Sequence, residues 1–400
     1  MVSVASIVAD VTTETIVTIE AIVATDSTVT KETTATMKKS NIIILTLDAG
    51  GTNLVFNAID AQSNICATTT LPAASKSLSE FLDKLISGFS TINNESGNIA
   101  KAISFCFPGP ADYENGIIGD LENLPYFKGG VALKHMLENK FNIPVYINND
   151  GDLFTLGEAI GGLLPETNMR LKNSGNTKQY RNLLGVTLGT GTGGGIVING
   201  GLLIGDNSAG AEINRSTNFL DVTMSIEETL SIRGIKRLYC EKSGIKPNNC
   251  PEPFEIYEIG IGKKEGNKKA ALDAWETFGI VLGQTLANAI TLIDGLIVLG
   301  GGLSGAHPLF LPKAIEVMNG KFVTNDNKTV QRLETFAYNF EDPECMKDFL
   351  QKDEIEITIP GTEKKVQYSP IKKIGIGVSK LGTSKAVAVG AYAFAMSKRL

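Results

Sequence analysis

The sequence has little of what builds metal and redox centres. Its five cysteines, Cys66, Cys106, Cys240, Cys250 and Cys345, are an odd number with no C-x-x-C pair. That removes metal-finger and dithiol motifs and reads as reduced thiols in a cytoplasmic protein. There are only two histidines, His135 and His307, and neither has metal-ligand spacing. The apolar runs, such as Asn41 to Leu47, are strand-sized and far short of the roughly 20 residues of a membrane span. No basic block exists: Lys plus Arg number 37, Asp plus Glu 43, and the formal net charge is −6. This balance argues against nucleic-acid and membrane-surface partners. No G-x-x-x-x-G-K-[ST] occurs, so a P-loop is excluded.

Glycine is what the sequence has in quantity, 42 in 400 residues. It has no G-X-Y period, so it is not collagenous and needs a local explanation. Ten glycines fall between Gly185 and Gly210 and five between Gly295 and Gly305. The 42% hydrophobic content is ample for a folded core. The length allows two to three domains. The first 36 residues read differently: ten threonines, many valines and alanines, and neither glycine nor proline. They lack the basic start and apolar block of a signal peptide. Residues 1–37 are therefore expected to be a flexible extension or an upstream-start artefact, without functional weight.

From Ile42 to Leu47 a β-branched run leads into Asp48-Ala49-Gly50-Gly51-Thr52-Asn53, and a second strand, Leu54 to Ile59, follows. The pattern recurs at Leu183 to Leu188, then Gly189-Thr190-Gly191-Thr192-Gly193-Gly194-Gly195, then Ile196 to Ile198. Two hairpins with glycine and threonine at their tips predict an internally duplicated α/β fold. Other expected elements are a helix over Leu78–Phe89, a strand over Ala102–Phe107, helices near Val131–Lys140 and Leu153–Ile160, and a strand over Leu296–Leu299. Leu272, Trp275, Gly279, Leu282, Leu286, Ile290 and Ile293 recur at helical spacing as a buried stripe. The charged stretch Lys328–Lys373 reads as an irregular surface insertion, and an alanine-rich helix over Ser384–Lys398 closes the chain.

A glycine turn between strands points several backbone N–H groups one way, a nest that suits phosphate. Thr52, Asn53, Thr190 and Thr192 add side-chain donors. Asp48, before the first turn, suits Mg²⁺ held through water, because that ion takes carboxylate and water oxygens. Asp150 closes Asn148-Asn149-Asp150 at a strand end, where α/β folds gather ligands. A carboxylate there can accept a proton from a hydroxyl, or can simply cap the next helix. Glu212, Glu227 and Glu228 add acceptors suited to a polyhydroxylated ligand. Two G-x-G-x-x-G matches, at Gly189, Gly191 and Gly194 and at Gly300, Gly302 and Gly305, keep a nicotinamide cofactor as a rival, although no acidic residue is well placed for a ribose.

Together these motifs resemble the ROK family (repressors, open reading frames and kinases) of the actin-like sugar kinase superfamily, across roughly Lys39 to Leu400. Asp48–Asn53 resembles the first phosphate motif, Phe107–Asp112 and Glu122–Pro125 the sugar-side loops, and Asn148–Asp150 with Leu156–Ala159 the catalytic segment. Leu188–Gly195 resembles the second phosphate motif and Ile297–Gly302 the adenosine motif. Leu230–Gly234 with Leu238-Tyr239 looks like the corresponding stretch of bacterial glucokinases.

The resemblance implies a two-lobed actin-like ATPase (ribonuclease H-like) duplicated fold with the ligand cleft between lobes. The small lobe is expected over 38–147 with the helix 384–400, and the large lobe over 148–383. Asp150 is the implied catalytic base, with Asn123, Asn149, Asp150, Glu212 and Glu227 on the sugar. Gly50, Gly51, Thr52, Asn53, Thr190, Gly191, Thr192, Gly301 and Gly302 are implied on ATP, and Asp48 on Mg²⁺. Two departures stand out. Asn214 and Arg215 follow Glu212-Ile213 where the family has glycine and a sugar-contacting histidine. Ser216–Ile226 has no Cys or His, so no structural zinc is expected. The implied activity is an ATP-dependent hexokinase making glucose 6-phosphate. Alternatives are a kinase for an N-acetylhexosamine, mannose or fructose, or a sugar-responsive ROK transcriptional regulator. The implied partners are the sugar, ATP and a second copy in a homodimer.

Overall fold

The computed structural model describes residues 42–49, 53–62, 64–109, 111–119, 121 and 124–398. The expected extension over 1–37 lies outside them. The run after Ile42 forms β1 (Ile43–Ala49), antiparallel to β2 (Asn53–Ile59) with Leu47 opposite Phe56. β3 (Ile65–Pro72) pairs antiparallel with β2. Helix α1 (Leu78–Glu95) follows, capped by the Ser77 side chain, which accepts from the Glu80 N–H. Its buried Phe81, Leu85, Phe89 and Ile92 recur at helical spacing, so one stripe covers the sheet. β4 (Ala100–Cys106) lies parallel to β1. Short strands β5 (Ala111–Asp112), β6 (Ile117–Ile118) and β7 (Val131–Ala132) make a small separate sheet. Helix α2 (Leu133–Phe141) then leads to β8 (Val145–Asn148), parallel to β4. The order is β3-β2-β1-β4-β8.

After α3 (Asp150–Gly161) and α4 (Leu163–Asn173) the design repeats. β9 (Leu183–Leu188) and β10 (Thr192–Ile198) form an antiparallel hairpin. A short β11 (Gly201–Leu202) follows, then helices α5 (Ile232–Ser243), α6 (Pro253–Ile261) and α7 (Lys268–Ile293). β12 (Leu296–Gly300) runs parallel to β9. Helix α8 (His307–Met318) and the hairpin β13 (Lys321–Val323) with β14 (Thr329–Gln331) come next. Then follow β15 (Phe336–Asn339), α9 (Pro343–Leu350), the hairpin β16 (Ile355–Thr358) with β17 (Lys365–Tyr368), β18 (Lys373–Val378) and α10 (Thr383–Ser397). β18 is parallel to both β12 and β15. The path β10-β9-β12-β18 therefore repeats β2-β1-β4-β8 strand for strand, in the same directions. This is the duplicated α/β fold of the actin-like ATPase class.

Contacts group the chain into two compact units. One holds the described residues up to Pro165, Gly200–Gly210 and the stretch from Ser384; the other holds Glu166–Asn199 and Ala211–Thr383. The sequence expectation set the boundary at 147/148, but this grouping keeps α3 with the first unit. Close packing explains it: a Cβ on Gly157 would lie 1.8 Å from the Ala386 carbonyl oxygen, and one on Gly390 1.9 Å from that of Leu153. Two glycines let α3 and α10 touch backbone to backbone. Each unit has its own core. Phe56, Phe81, Phe89, Phe105, Phe107 and Phe127 fill the first, and the rings of Trp275, Phe278 and Phe310 pack against one another in the second.

Two expectations need correction. Leu272 is 39% exposed; the buried stripe of α7 runs through Ala271, Ala274, Trp275, Phe278 and Leu282, one residue and about 100° away. By length and composition α7 could cross a membrane, yet those side chains are packed in the second core. Lys328–Lys373 is not irregular: it supplies β15 to the main sheet and α9, whose Phe349 is buried against Tyr180, Tyr338 and Phe340. Part of its charge sits on the exposed hairpin β16–β17, while the Lys373 side chain is 8% exposed and pairs with Asp353.

Candidate active site

In the first unit, β1, β4 and β8 run parallel, so their carboxyl ends gather side chains at one edge. Asp48 is half-buried near the end of β1, and Cys106 at the end of β4 pairs in register with Asn148 on β8. Asn149 caps α3, its Oδ1 accepting the Gly151 N–H at 2.8 Å. The cap role that the sequence allowed Asp150 thus belongs to its neighbour. Asp150 is the first helical residue, and its Oδ1 shares the same N–H at 2.8 Å.

The Asp150 carboxyl keeps a solvent-open face but is otherwise set deep among protein atoms. That desolvation pushes its pKa above the ordinary aspartate value. The Gly151 N–H pulls the other way, and the Asp48 charge adds to the rise. Among the described residues neither Asp48 nor Asp150 is in an ion pair. Cys106, which nothing in the sequence singled out, is buried beside them: burial, then Asp150, then Asp48 push its thiol up, so it stays protonated. Asn53 is exposed at the start of β2. Gly50, Gly51, Thr52 and Asn123 lie outside the described residues.

In the second unit the β9–β10 turn is closed by Gly189 N–H donating to the Gly191 carbonyl at 2.9 Å. Thr190 is exposed at its tip. Thr192 faces inward, 4% exposed. Its hydroxyl donates to the Leu230 carbonyl at 2.7 Å and its N–H to Glu227 Oε2 at 3.0 Å. Both Thr192 donors that the sequence offered to phosphate are therefore engaged within the unit. The turn still presents the N–H groups of Thr190 and Gly191 and the Thr190 hydroxyl. A Cβ on Gly191 would meet Glu227 Oε2 at 2.7 Å, so a side chain there would push that carboxylate aside.

Glu227 lies in a 3-10 turn (Ile226–Glu228), not at the start of the following helix, and Ser231 caps α5. Its Oε1 pairs with Arg233 Nη2 at 2.8 Å, and the same nitrogen reaches Glu228 Oε1 at 2.7 Å. Hydrogen bonding to Arg233 is the main reason the Glu228 carboxyl is held below the ordinary glutamate value. Glu212 and Arg215 are exposed around a short 3-10 turn. In place of the cysteine-rich segment, the loop 216–226 closes on itself through a Thr217–Ser225 bridge and the buried Asn218, which donates to Thr229 Oγ1 at 2.9 Å. Among the described residues no group of three or more His, Cys, Asp or Glu is arranged to hold a metal ion.

Past β12, Gly301 has φ +81°, and a Cβ there would lie 2.3 Å from the Leu188 carbonyl oxygen, so only glycine fits. Its N–H donates to Thr383 Oγ1 at 3.0 Å. Gly302 is open: a Cβ there would have nothing within 4 Å. The second unit thus sets the β9–β10 turn, the Glu227 carboxylate and the glycine step after β12 on one framework.

The ROK family matches residues 44–341. The chain belongs to the ROK family. Among solved structures, the glucokinase of Parabacteroides distasonis is 46% identical, with a TM-score of 0.82, covering 91% of this chain and 100% of its own. The N-acetyl-D-glucosamine kinase of Photobacterium profundum is 28% identical over 288 residues, 67% of this chain and 87% of its own length. A ROK glucokinase of Streptomyces griseus, solved with glucose and AMPPNP, is 18% identical at a TM-score of 0.57, covering 88% of this chain and 98% of its own; it shares the fold. This ROK protein is a sugar kinase by class, in line with its relatives and neighbours.

Proposed function

We propose that this ROK protein is an ATP-dependent hexokinase that transfers the ATP γ-phosphate to glucose, forming glucose 6-phosphate. The observation that carries the mechanism is Asp150. It is a partly desolvated carboxylate at a strand–helix junction, in no ion pair among the described residues, and its pKa is raised. Such a group is poised to accept the proton of a sugar hydroxyl. Asn149, fixed by its cap bond, keeps its amide N–H groups for a sugar oxygen. Thr190, Gly191, Gly301 and Gly302 serve the nucleotide, where positioning and electrostatics supply most of the catalysis.

Mg²⁺ fits the donor set of the first unit. Asp48 and Asp150 are neighbouring carboxylates with no ion-pair partner among the described residues, and hard oxygen donors suit that ion. Asp48 would hold it through water, and when bound it neutralises phosphate charge. Glucose is supported as acceptor by the 46% identity to a glucokinase along that chain's full length. An N-acetylhexosamine acceptor is the second reading, favoured by the 28% relative and by Arg215 in the place of the family histidine. A coupled ADP-release assay over glucose, N-acetylglucosamine, N-acetylmannosamine, mannose and fructose tests both. The highest kcat/KM is expected on glucose. A preference for an N-acetylated sugar selects the second reading, and no ADP release with any hexose overturns the kinase assignment.

A further inference from the structure

We infer that Arg233 is a positioning residue that ties the sugar-side carboxylate Glu227 to the phosphate turn, so that one hydrogen-bonded unit serves both substrates; this rests on the hexokinase reading above. Glu227 is held at both oxygens. Oε2 accepts the Thr192 N–H at 3.0 Å, and Oε1 accepts from Arg233 Nη2 at 2.8 Å. The same guanidinium reaches Glu228 through Nη2 at 2.7 Å and Nε at 3.3 Å. Two more bonds fasten the segment to the turn: Thr192 Oγ1 donates to the Leu230 carbonyl at 2.7 Å, and Ile232 N–H donates to the Gly189 carbonyl at 2.8 Å. The path from guanidinium to carboxylate to turn amide is continuous.

A plain surface ion pair accounts for this less well. Arg233 is the second residue of α5, where the helix dipole disfavours a cation. The two carboxylates explain its presence there, and the planar fork lets one side chain fix both. The Arg233 side chain is 52% exposed, so the pairs add little to stability. Their consequence is local. Glu227 places a negative charge against the turn that is to receive phosphate, and Arg233 is the charge that offsets it. Without the guanidinium, Glu227 loses its fixed rotamer for the sugar and repels the nucleotide.

The full chain is compared with Arg233→Gln and Arg233→Lys, using the hexose the wild type turns over best. Arg233→Gln is expected to raise the KM for sugar and for ATP about tenfold each, with Tm nearly unchanged. Arg233→Lys, which keeps the charge but not the fork, is expected to restore the ATP KM more than the sugar KM. A purely structural role would lower Tm and leave both KM values alone. Both KM values within about twofold of wild type in Arg233→Gln overturn the inference; if that variant fails to fold, a wild-type sugar KM in Arg233→Lys overturns it. A wild-type chain inactive on every hexose overturns the kinase reading separately. Calorimetry with AMPPNP then still decides the role of Arg233: weaker binding by Arg233→Gln upholds the offset of charge at the turn, and equal binding refutes it.

Discussion

Each unit carries a pair of acidic residues, Asp48 and Asp150 in the first and Glu227 and Glu228 in the second, and the units treat them in opposite ways. In the first, Asp48 and Asp150 pair with no cation among the described residues, and burial, with a smaller addition from the Asp48 charge, raises the Asp150 pKa. In the second, Glu227 and Glu228 share one guanidinium, and the Glu228 pKa falls. The residue type is nearly the same; the environment assigns the role. On the proposed mechanism the carboxylate without a counter-charge is the one that takes the proton, whereas the one paired with arginine is a fixed acceptor.

Substitutions that exchange or remove these environments sharpen the contrast. The largest effect is expected from Asp150→Asn, which should cut kcat by at least about 10²-fold while calorimetric sugar affinity changes little. Near-normal turnover would remove Asp150 from the chemistry. Gly301→Ala forces a Cβ onto the Leu188 carbonyl at positive φ. It should raise the ATP KM and destabilise the second unit by about 1–2 kcal/mol or more; an unaltered ATP KM would detach that glycine step from the nucleotide. Thr192→Val keeps the shape but loses the buried bond to Leu230, and should cost about 1 kcal/mol, or a few degrees of Tm. An unchanged melt would mean that bond does not hold the turn.

The smallest effect is on stability at Asp150 itself. Its folded pKa lies above the unfolded value. Its contribution is therefore fully present below the ordinary aspartate pKa and is lost as pH rises through the folded pKa. Asp150→Asn should thus raise Tm at neutral pH and give no gain in acid. The same shift moves the acid limb of the kcat/KM profile above the ordinary aspartate range.

Much of the scaffold was legible because it is written locally. The β-branched runs flanking glycine turns marked both hairpins, and Phe81, Leu85, Phe89 and Ile92 mark α1 at helical spacing. Asp150 was visible as a carboxylate at a strand end. What the sequence hid depends on contacts distant along the chain. The Thr192–Glu227 bond spans 35 residues, and Arg233 follows Glu227 by six across a helix cap, a spacing with no regular helical meaning. The strand Phe336–Asn339 was concealed by charged neighbours, because it sits at a sheet edge with only Ala337 buried. Cys106 gave no signal, since proximity to two acids from other elements decides its state.

The contrast between the two acidic sites is tested most directly by a carbon-detected NMR titration of side-chain carboxyls, assigned with Asp150→Asn and Glu228→Gln. The Asp150 midpoint should lie above the ordinary aspartate value, and the Glu228 midpoint below the ordinary glutamate value. An Asp150 midpoint at or below the aspartate norm would contradict the account, because the group named as the base would then be no more basic than any surface carboxylate.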